Sequence, residues 1–195
     1  MTLHIFGPGF SSLVRSVRLY CLEKGIEATW GMTLDGRPVA MRSEAHCLMH
    51  PFCQLPVLLH GEQCVFETLA ICRYLDRKFP SNTLSNNHTQ TLVDQWASAL
   101  ITTVDRCVVR NYLLKIAGPK PDATFDAQAL HEARTRVNEM LAILEVQLGT
   151  QTFLCGADFS IADALLIPML DYLNRFPERD WQVRATAFKM GNGRC

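Results

Sequence analysis

The sequence predicts an α/β domain followed by an all-α domain, and three features of the residue pattern support this fold class. Strand-like and helix-like patterns alternate through the first part of the chain. A dense run of proline, serine and asparagine then interrupts both patterns. Beyond that run, the apolar residues recur at helical spacing. We therefore expect one domain over residues 1–79 and a second over residues 88–195.

The first domain begins with a strand, a helix and another strand. Alternating apolar residues predict a strand at residues 3–6, and helical spacing predicts an amphipathic helix at residues 12–24. Gly25 can take the left-handed conformation that ends the helix. A second strand is predicted at residues 26–30, so these elements form a parallel crossover unit.

A hairpin and a helix complete the first domain. Residues 36–50 are predicted to be irregular or weakly helical. Two short apolar runs at residues 56–59 and 64–66, joined by a polar turn, predict a hairpin. A helix follows at residues 67–78. The sum is a small four-stranded mixed sheet with helices packed against it.

The second domain is predicted to consist of helices. Long helical segments cover residues 90–115 and 126–148. A third helix begins at Ser160, whose hydroxyl can accept from the backbone N–H of Asp163 while the Asp163 carboxylate accepts from the Ser160 N–H. This capping box satisfies backbone amides and is expected to be structural. After residue 177 the pattern ends in a short tail.

Composition restricts the class of protein. The chain has 195 residues, of which 48% are apolar and 19% charged, with no net charge at pH 7. This composition excludes a disordered regulator, and the balanced charge predicts no nucleic-acid or membrane partner. The longest apolar run, residues 164–170, is too short to cross a bilayer. Residues 1–10 lack the basic start and apolar stretch of a signal peptide, so we expect a cytoplasmic protein.

The cysteines and histidines predict no metal site. Eight cysteines in a chain without an export signal are expected to be free thiols in a reducing compartment, most of them buried as small apolar side chains. They form neither a CxxC pair nor a Cys/His cluster with metal-ligand spacing. Three histidines have no carboxylate or second ligand at supporting spacing and are interpreted as loop residues: His46, His50 and His60.

Four motifs, in matching order and spacing, resemble those of the cytosolic glutathione transferase family in its bacterial-type form, with serine at the catalytic position. The motifs are residues 11–18 (SSLVRSVR), 50–58 (HPFCQLPVL), 67–75 (ETLAICRYL) and 153–163 (FLCGADFSIAD). The resemblance covers residues 2–177. It implies a thioredoxin-like N-terminal domain that binds glutathione and an all-helical C-terminal domain.

Ser11 lies between the first strand and the first helix, where a hydroxyl and exposed backbone amides favour an anion. The residues alone leave a simple helix cap and a catalytic role equally open. The resemblance implies that Ser11 donates a hydrogen bond to the glutathione sulfur and favours its thiolate. Ser12 is the second candidate, since a shift of one residue in the turn would exchange their roles. Because neither residue is cysteine, no mixed disulfide is expected at this position.

The resemblance also implies contacts along the glutathione backbone. Leu55-Pro56 resembles the family's cis-proline turn, in which the residue before proline pairs with the cysteinyl part of glutathione. The residues alone favour a trans proline that opens a strand. Glu67 and Thr68 open a helix, and the resemblance implies that they hold the γ-glutamyl group; the alternative is a helix N-terminus without a ligand.

Gln54 and Arg42 resemble the remaining glutathione contacts. The resemblance makes Arg42 a candidate for binding the glycyl carboxylate, whereas a lone arginine is usually solvated. Cys53 stands where the family usually has glycine, and it is interpreted as a packing residue.

The implied function is conjugation of the glutathione thiolate to small electrophilic substrates by a detoxifying homodimer, with glutathione as cosubstrate. Two alternatives stay open. One is a binding or interaction module of the same fold without transferase activity, and the other is a glutathione-dependent lyase, isomerase or peroxidase. Family members usually carry one or two further helices where this chain has its short tail, so we expect an altered site for the second substrate.

Overall fold

The computed structural model describes residues 2–80, 87–117 and 127–175. The chain divides into two units, Met1–Ser85 and Asn86–Cys195. The first unit contains the strands together with three helices, and the described part of the second unit is helical. This order confirms the predicted fold class of an α/β region followed by an all-α region.

A four-stranded mixed sheet organises the first unit. Its elements in chain order are β1 (Leu3–Phe6), α1 (Ser12–Glu23), β2 (Thr29–Gly31), β3 (Thr33–Leu34), β4 (Arg37–Pro38), α2 (Glu44–Met49), β5 (Val57–His60), β6 (Gln63–Phe66) and α3 (Thr68–Lys78). The strand order is β2-β1-β5-β6. The β1–β2 pair is parallel, and the other two pairs are antiparallel. The predicted crossover unit and hairpin are therefore both present.

An ion-pair cluster joins the two long helices of this unit, α1 and α3, which pack together. The Lys24 ammonium lies 2.8 Å from the Asp76 carboxylate, and the Arg73 guanidinium lies 3.0 Å from it. The Tyr20 hydroxyl donates to the same carboxylate. Burial, followed by the hydrogen bond to Asp76, raises the pKa of Tyr20, so the hydroxyl keeps its proton and remains a donor.

The segment at residues 36–50 is more ordered than the sequence predicts. Part of it forms a short hairpin with the residues just before it, since β3 pairs antiparallel with β4. Ser43 caps α2, and its hydroxyl accepts from the His46 N–H at 3.4 Å. The helix covers the sheet through an apolar cluster of Phe6, Met49 and Val57. A helix of six residues is too short to show a clear 3.6-residue period, which explains the weak prediction.

The described residues of the second unit form helices. They are α4 (Asn87–Ala99), two π-helical segments (Leu100–Val104 and Arg106–Leu113), α5 (Leu114–Ala117), α6 (Ala127–Leu148) and α7 (Ile161–Asn174). The first four follow one another directly, as the single long helix predicted at residues 90–115 requires. Helix α7 packs against α4 and both π-helical segments, and most of its residues are buried.

A buried carboxylate holds the start of α7. Asp163 accepts from the Ser160 N–H at 2.9 Å, from the Ser160 hydroxyl at 2.7 Å and from the Leu154 N–H at 2.8 Å. Burial raises the pKa of Asp163, and these hydrogen bonds oppose the rise. The expected capping box is present and ties the helix start to the preceding loop.

Across the part of the chain that the structure describes, no helix has both the length and the apolar character of a membrane span. The short tail expected after residue 177 lies outside the described residues.

Candidate active site

The register of the sheet brings three sequence-predicted segments to the same end of the first unit. One row of paired residues crosses β1, β5 and β6: Phe6, Val57 and Phe66. Adjacent strands lie about 4.8 Å apart, so this row spans about 10 Å. Ser11 follows β1 after a short turn, Pro56 immediately precedes β5, and Glu67 immediately follows β6. Ser11, Pro56 and Glu67 therefore all lie next to the same end of the strands in the sheet.

Ser11 is the N-cap of α1, and its hydroxyl accepts from the Val14 N–H at 3.5 Å. The side chain is half-buried, whereas Ser12 is only 6% exposed. The turn before Ser11 packs closely on the helix, because a Cβ on Gly7 would lie 2.4 Å from Val14 Cγ2. Glycine at position 7 thus permits the approach that sets the position of Ser11.

The Leu55–Pro56 peptide bond is cis. This geometry agrees with the resemblance and differs from the trans proline that the residues alone favour. Pro56 is buried, Leu55 is half-buried, and Gln54 is exposed. The Gln54 side chain is therefore accessible to solvent, in the loop just before β5.

Glu67 has a backbone conformation that L-residues rarely adopt, with φ 68° and ψ 121°. It is the N-cap of α3, yet its exposed carboxylate makes no capping hydrogen bond. Thr68, the first residue of α3, is buried. Sparsely populated backbone conformations of this kind cost about 1–3 kcal/mol and cluster at functional sites. A carboxylate that does not cap its own helix is available to a ligand.

His46 joins the segments that carry Arg42 and Gln54, a connection that the sequence interpretation missed. The ring is fully buried and packs on Phe6. Its Nδ1 accepts from the Arg42 N–H at 3.0 Å, and its Nε2 lies 3.0 Å from the Gln54 carbonyl oxygen. With Nδ1 accepting, the neutral ring donates through Nε2. The expectation of a loop histidine was wrong, and the helix-capping serine at position 43 was the available signal.

Cys47 and Cys53 form a disulfide, so the expectation that all cysteines are free thiols was wrong. The interpretation of Cys53 as a packing residue was also wrong. Cys53 has φ 49° and immediately precedes Gln54, while Cys47 lies in α2. The expectation of burial fails for Cys64, which is exposed. The two cysteines are six residues apart, so they form no short sequence motif that would predict the disulfide.

Of the two remaining histidines, His50 lies in the loop after α2, as expected, whereas the expectation was wrong for His60, which lies in a strand. His50 is buried beside Phe66, and its Nδ1 accepts from the Phe52 N–H at 3.2 Å. Burial lowers the pKa of His50 and favours the neutral ring. His60 lies in β5, with Nδ1 2.9 Å from the Tyr74 hydroxyl. Within residues 2–80, 87–117 and 127–175, no group of three or more histidine, cysteine or acidic side chains could hold a metal ion.

The fold and this site define a class of protein with a thioredoxin-like first unit and a helical second unit. Residues 1–77 match the family model described as the glutathione S-transferase N-terminal domain, and residues 127–190 match the model of the C-terminal domain. The chain belongs to the glutathione S-transferase family.

Individual relatives agree with this assignment over most of their length. Glutathione S-transferase F12 of Arabidopsis thaliana is 27% identical over 192 residues, covering 95% of this chain and 88% of that protein. The theta-class enzyme of Xanthomonas axonopodis pv. citri, solved with glutathione bound, has the same fold, with a TM-score of 0.81 at 22% identity over 95% of this chain and 88% of its own. Poplar glutathione transferase F1 has a TM-score of 0.75 at 25% identity, covering 90% and 82% of the two chains.

Proposed function

We propose that the protein is a glutathione transferase in which Ser11 stabilises the glutathione thiolate for attack on a small electrophile. The observation that carries this proposal is the sheet register, which brings the N-termini of α1 and α3 and the cis-proline loop to one end of the first unit. Family membership supports the same activity, as does the relative from Xanthomonas axonopodis that was solved with glutathione.

Ser11 can cap its helix and activate a thiol at the same time. A hydroxyl has one proton to donate and two lone pairs that accept, and the Val14 N–H uses only an accepting position. A hydrogen bond to a charged group contributes about 1.5–3 kcal/mol, which lowers the thiol pKa by about one to two units. A thiol with an ordinary pKa of about 8.5 would change from a few per cent thiolate at pH 7 to a large fraction. The thiolate then forms a C–S bond with the electrophile as the leaving group departs with its electron pair.

The other predicted residues would bind the peptide of glutathione. The exposed Glu67 carboxylate can accept a hydrogen bond from the ammonium group of glutathione. The N-terminus of α3 at Thr68 can hold the γ-glutamyl carboxylate of glutathione. The backbone of Leu55 would pair with the cysteinyl part. The exposed Gln54 and Arg42 side chains would contact the remainder, with Arg42 on the glycyl carboxylate.

Adjacent serines provide a matched pair of variants for the catalytic assignment. We expect Ser11→Ala to lower kcat/KM for conjugation of glutathione to an aryl halide by about 10- to 150-fold, because one hydrogen bond to the thiolate is lost. Ser12→Ala should change it less than about threefold, because Ser12 is buried. Ser11→Thr, which keeps the hydroxyl, should retain more activity than Ser11→Ala. Equal rates for wild type and Ser11→Ala would refute the assignment.

We also infer that the enzyme is a cytoplasmic homodimer with a detoxifying role. Leu48 and Phe52 support the dimer, since these large apolar side chains are 82% and 71% exposed on the first unit. Light scattering should give twice the chain mass, and Leu48→Asp with Phe52→Asp should shift the protein towards the single-chain mass. Exposed Val146→Asp in the second unit is the control. A single-chain mass for the wild type at all concentrations would contradict the dimer.

A further inference from the structure

The Cys47–Cys53 pair stands out among the described cysteines. Its Cα atoms are 4.6 Å apart, inside the range in which a disulfide forms without movement of the backbone. Both residues are half-buried. The other described cysteines are free thiols: Cys21, Cys64, Cys72, Cys107 and Cys155.

The pair bridges two segments of the proposed glutathione site. Cys47 follows His46 in α2, and Cys53 precedes Gln54 in the loop that leads to the cis proline. The disulfide therefore ties α2 to this loop beside the hydrogen bond between the His46 ring and the Gln54 carbonyl. Reduction removes the covalent tie and leaves the hydrogen bond.

We propose that Cys47 and Cys53 are a redox-active pair that exchanges with glutathione disulfide and thereby controls how firmly the Gln54 loop is held. The exchange itself does not need transferase activity. The effect on glutathione binding rests on the proposed function, because it assumes that this loop contacts glutathione.

The reaction is a thiol–disulfide exchange in two steps. The thiolate of one cysteine attacks a sulfur of glutathione disulfide, and the S–S bond breaks to release one glutathione thiolate and leave a protein–glutathione mixed disulfide. The thiolate of the other cysteine attacks the protein sulfur of that bond, releases the second glutathione and closes the Cys47–Cys53 bond. Two electrons pass from the protein to glutathione disulfide, and the two cysteine protons end on the two glutathione molecules.

The surroundings of the other thiols favour exchange at this pair. Burial raises the pKa of Cys21 and of Cys155 to about 12, and it also raises the pKa of Cys72. Partial loss of hydration around the sulfur also raises the pKa of Cys64 and of Cys107. Because the thiolate is the attacking species, these cysteines are poor partners for glutathione disulfide.

The test is a redox titration of the full-length protein. The protein is equilibrated in buffers with a rising ratio of glutathione disulfide to glutathione, its free thiols are alkylated, and the peptide cross-linked between Cys47 and Cys53 is quantified by mass spectrometry. We expect the cross-linked fraction to rise with the ratio and to fall again when glutathione is restored. Cys47→Ser and Cys53→Ser should each accumulate one glutathione per chain, on the remaining cysteine of the pair. Cys64→Ser, which removes an exposed free thiol, should titrate like wild type.

Two results would overturn the redox proposal. One is a pair that stays fully reduced at the highest glutathione disulfide ratio. The other is a pair that stays cross-linked in excess glutathione, which would make it a permanent structural disulfide. Replacing the glutathione couple by oxidised and reduced dithiothreitol separates this proposal from the proposed function, since reversible cross-linking there does not depend on a glutathione site.

The effect on binding is measured with S-methylglutathione, which cannot exchange. We expect the oxidised protein to bind it at least about fivefold more tightly than the reduced protein, the lower end of typical coupling between sites. The Cys47→Ser/Cys53→Ser double variant should show one affinity under both conditions. Equal affinity of oxidised and reduced wild type would overturn the control of the loop. Failure of both forms to bind would instead refute the proposed glutathione site.

Discussion

A single buried side chain, His46, organises much of the proposed glutathione loop. Its two ring nitrogens contact the backbones of Arg42 and Gln54, residues separated in sequence by α2 and the segment that follows it. Neither contact needs the side chain of Arg42 or Gln54, so both side chains stay free to reach a ligand. His46 is thus a positioning residue that acts through the backbone.

Replacing His46 tests this role. We expect His46→Ala to lower the free energy of unfolding by about 3 kcal/mol, because a buried ring is lost and two backbone groups lose their partner. The dissociation constant for glutathione should rise, as measured by calorimetry under conditions where the variant is folded. His60→Ala removes a histidine of the same unit that contacts Tyr74, and it should leave glutathione affinity near the wild-type value. Equal affinities for His46→Ala and wild type would show that the ring has no part in positioning.

Some features of the candidate site could be predicted from the sequence, and others could not. Ser11 and Leu55-Pro56 stand in motifs, so their positions could be predicted from the resemblance. The disulfide could not be predicted, because the close approach of Cys47 and Cys53 depends on a short helix and on the positive φ of Cys53. Glycine is the usual residue for such a φ, so neither residue type nor spacing indicates the pairing.

At the scale of elements, α7 shows how one buried carboxylate can set the start of a helix. Asp163 satisfies the Ser160 N–H and also holds the Leu154 N–H of the preceding loop. The start of α7 therefore depends on a carboxylate, Asp163, that accepts hydrogen bonds through both of its oxygens. This arrangement stabilises the core of the second unit, which contains most of the α7 side chains.

Asp163→Asn changes one accepting oxygen into a donor with little change in shape. We expect the free energy of unfolding to fall by about 2–3 kcal/mol, since a buried donor then faces another donor. Urea unfolding at neutral pH measures this difference. Asp158→Asn, at an exposed position in the same loop, should change it by less than about 0.5 kcal/mol. Similar stability for the two variants would mean that the Asp163 carboxylate is dispensable.

The long periodic helices could be predicted well, whereas the short elements within residues 33–49 could not. The helices α1, α3 and α6 begin and end within a few residues of their predicted limits. The β3–β4 hairpin and α2 are too short to show a detectable period in the sequence. Their structure depends instead on local capping at Ser43 and on burial against the sheet.

At the scale of the whole molecule, the order of strands and helices could be predicted from the sequence. Whether the predicted site residues come close together depends on the register in which the strands pair. The pairing of Phe6 with Val57 and of Val57 with Phe66 brings the ends of separate segments together. Register follows from which residues each strand buries, and that choice is made by packing across the entire sheet. Sequence motifs indicate candidate binding residues, and the fold determines how close together these residues lie.

In the proposed mechanism, Ser11 lowers the pKa of the bound glutathione thiol. The most direct measurement is the ultraviolet absorbance of the thiolate of bound glutathione as a function of pH, in wild type and in Ser11→Ala. We predict a thiol pKa about one to two units below the ordinary value near 8.5 in wild type, and a return towards that value in the variant. A bound thiol that titrates at the same pH in both proteins would contradict the account.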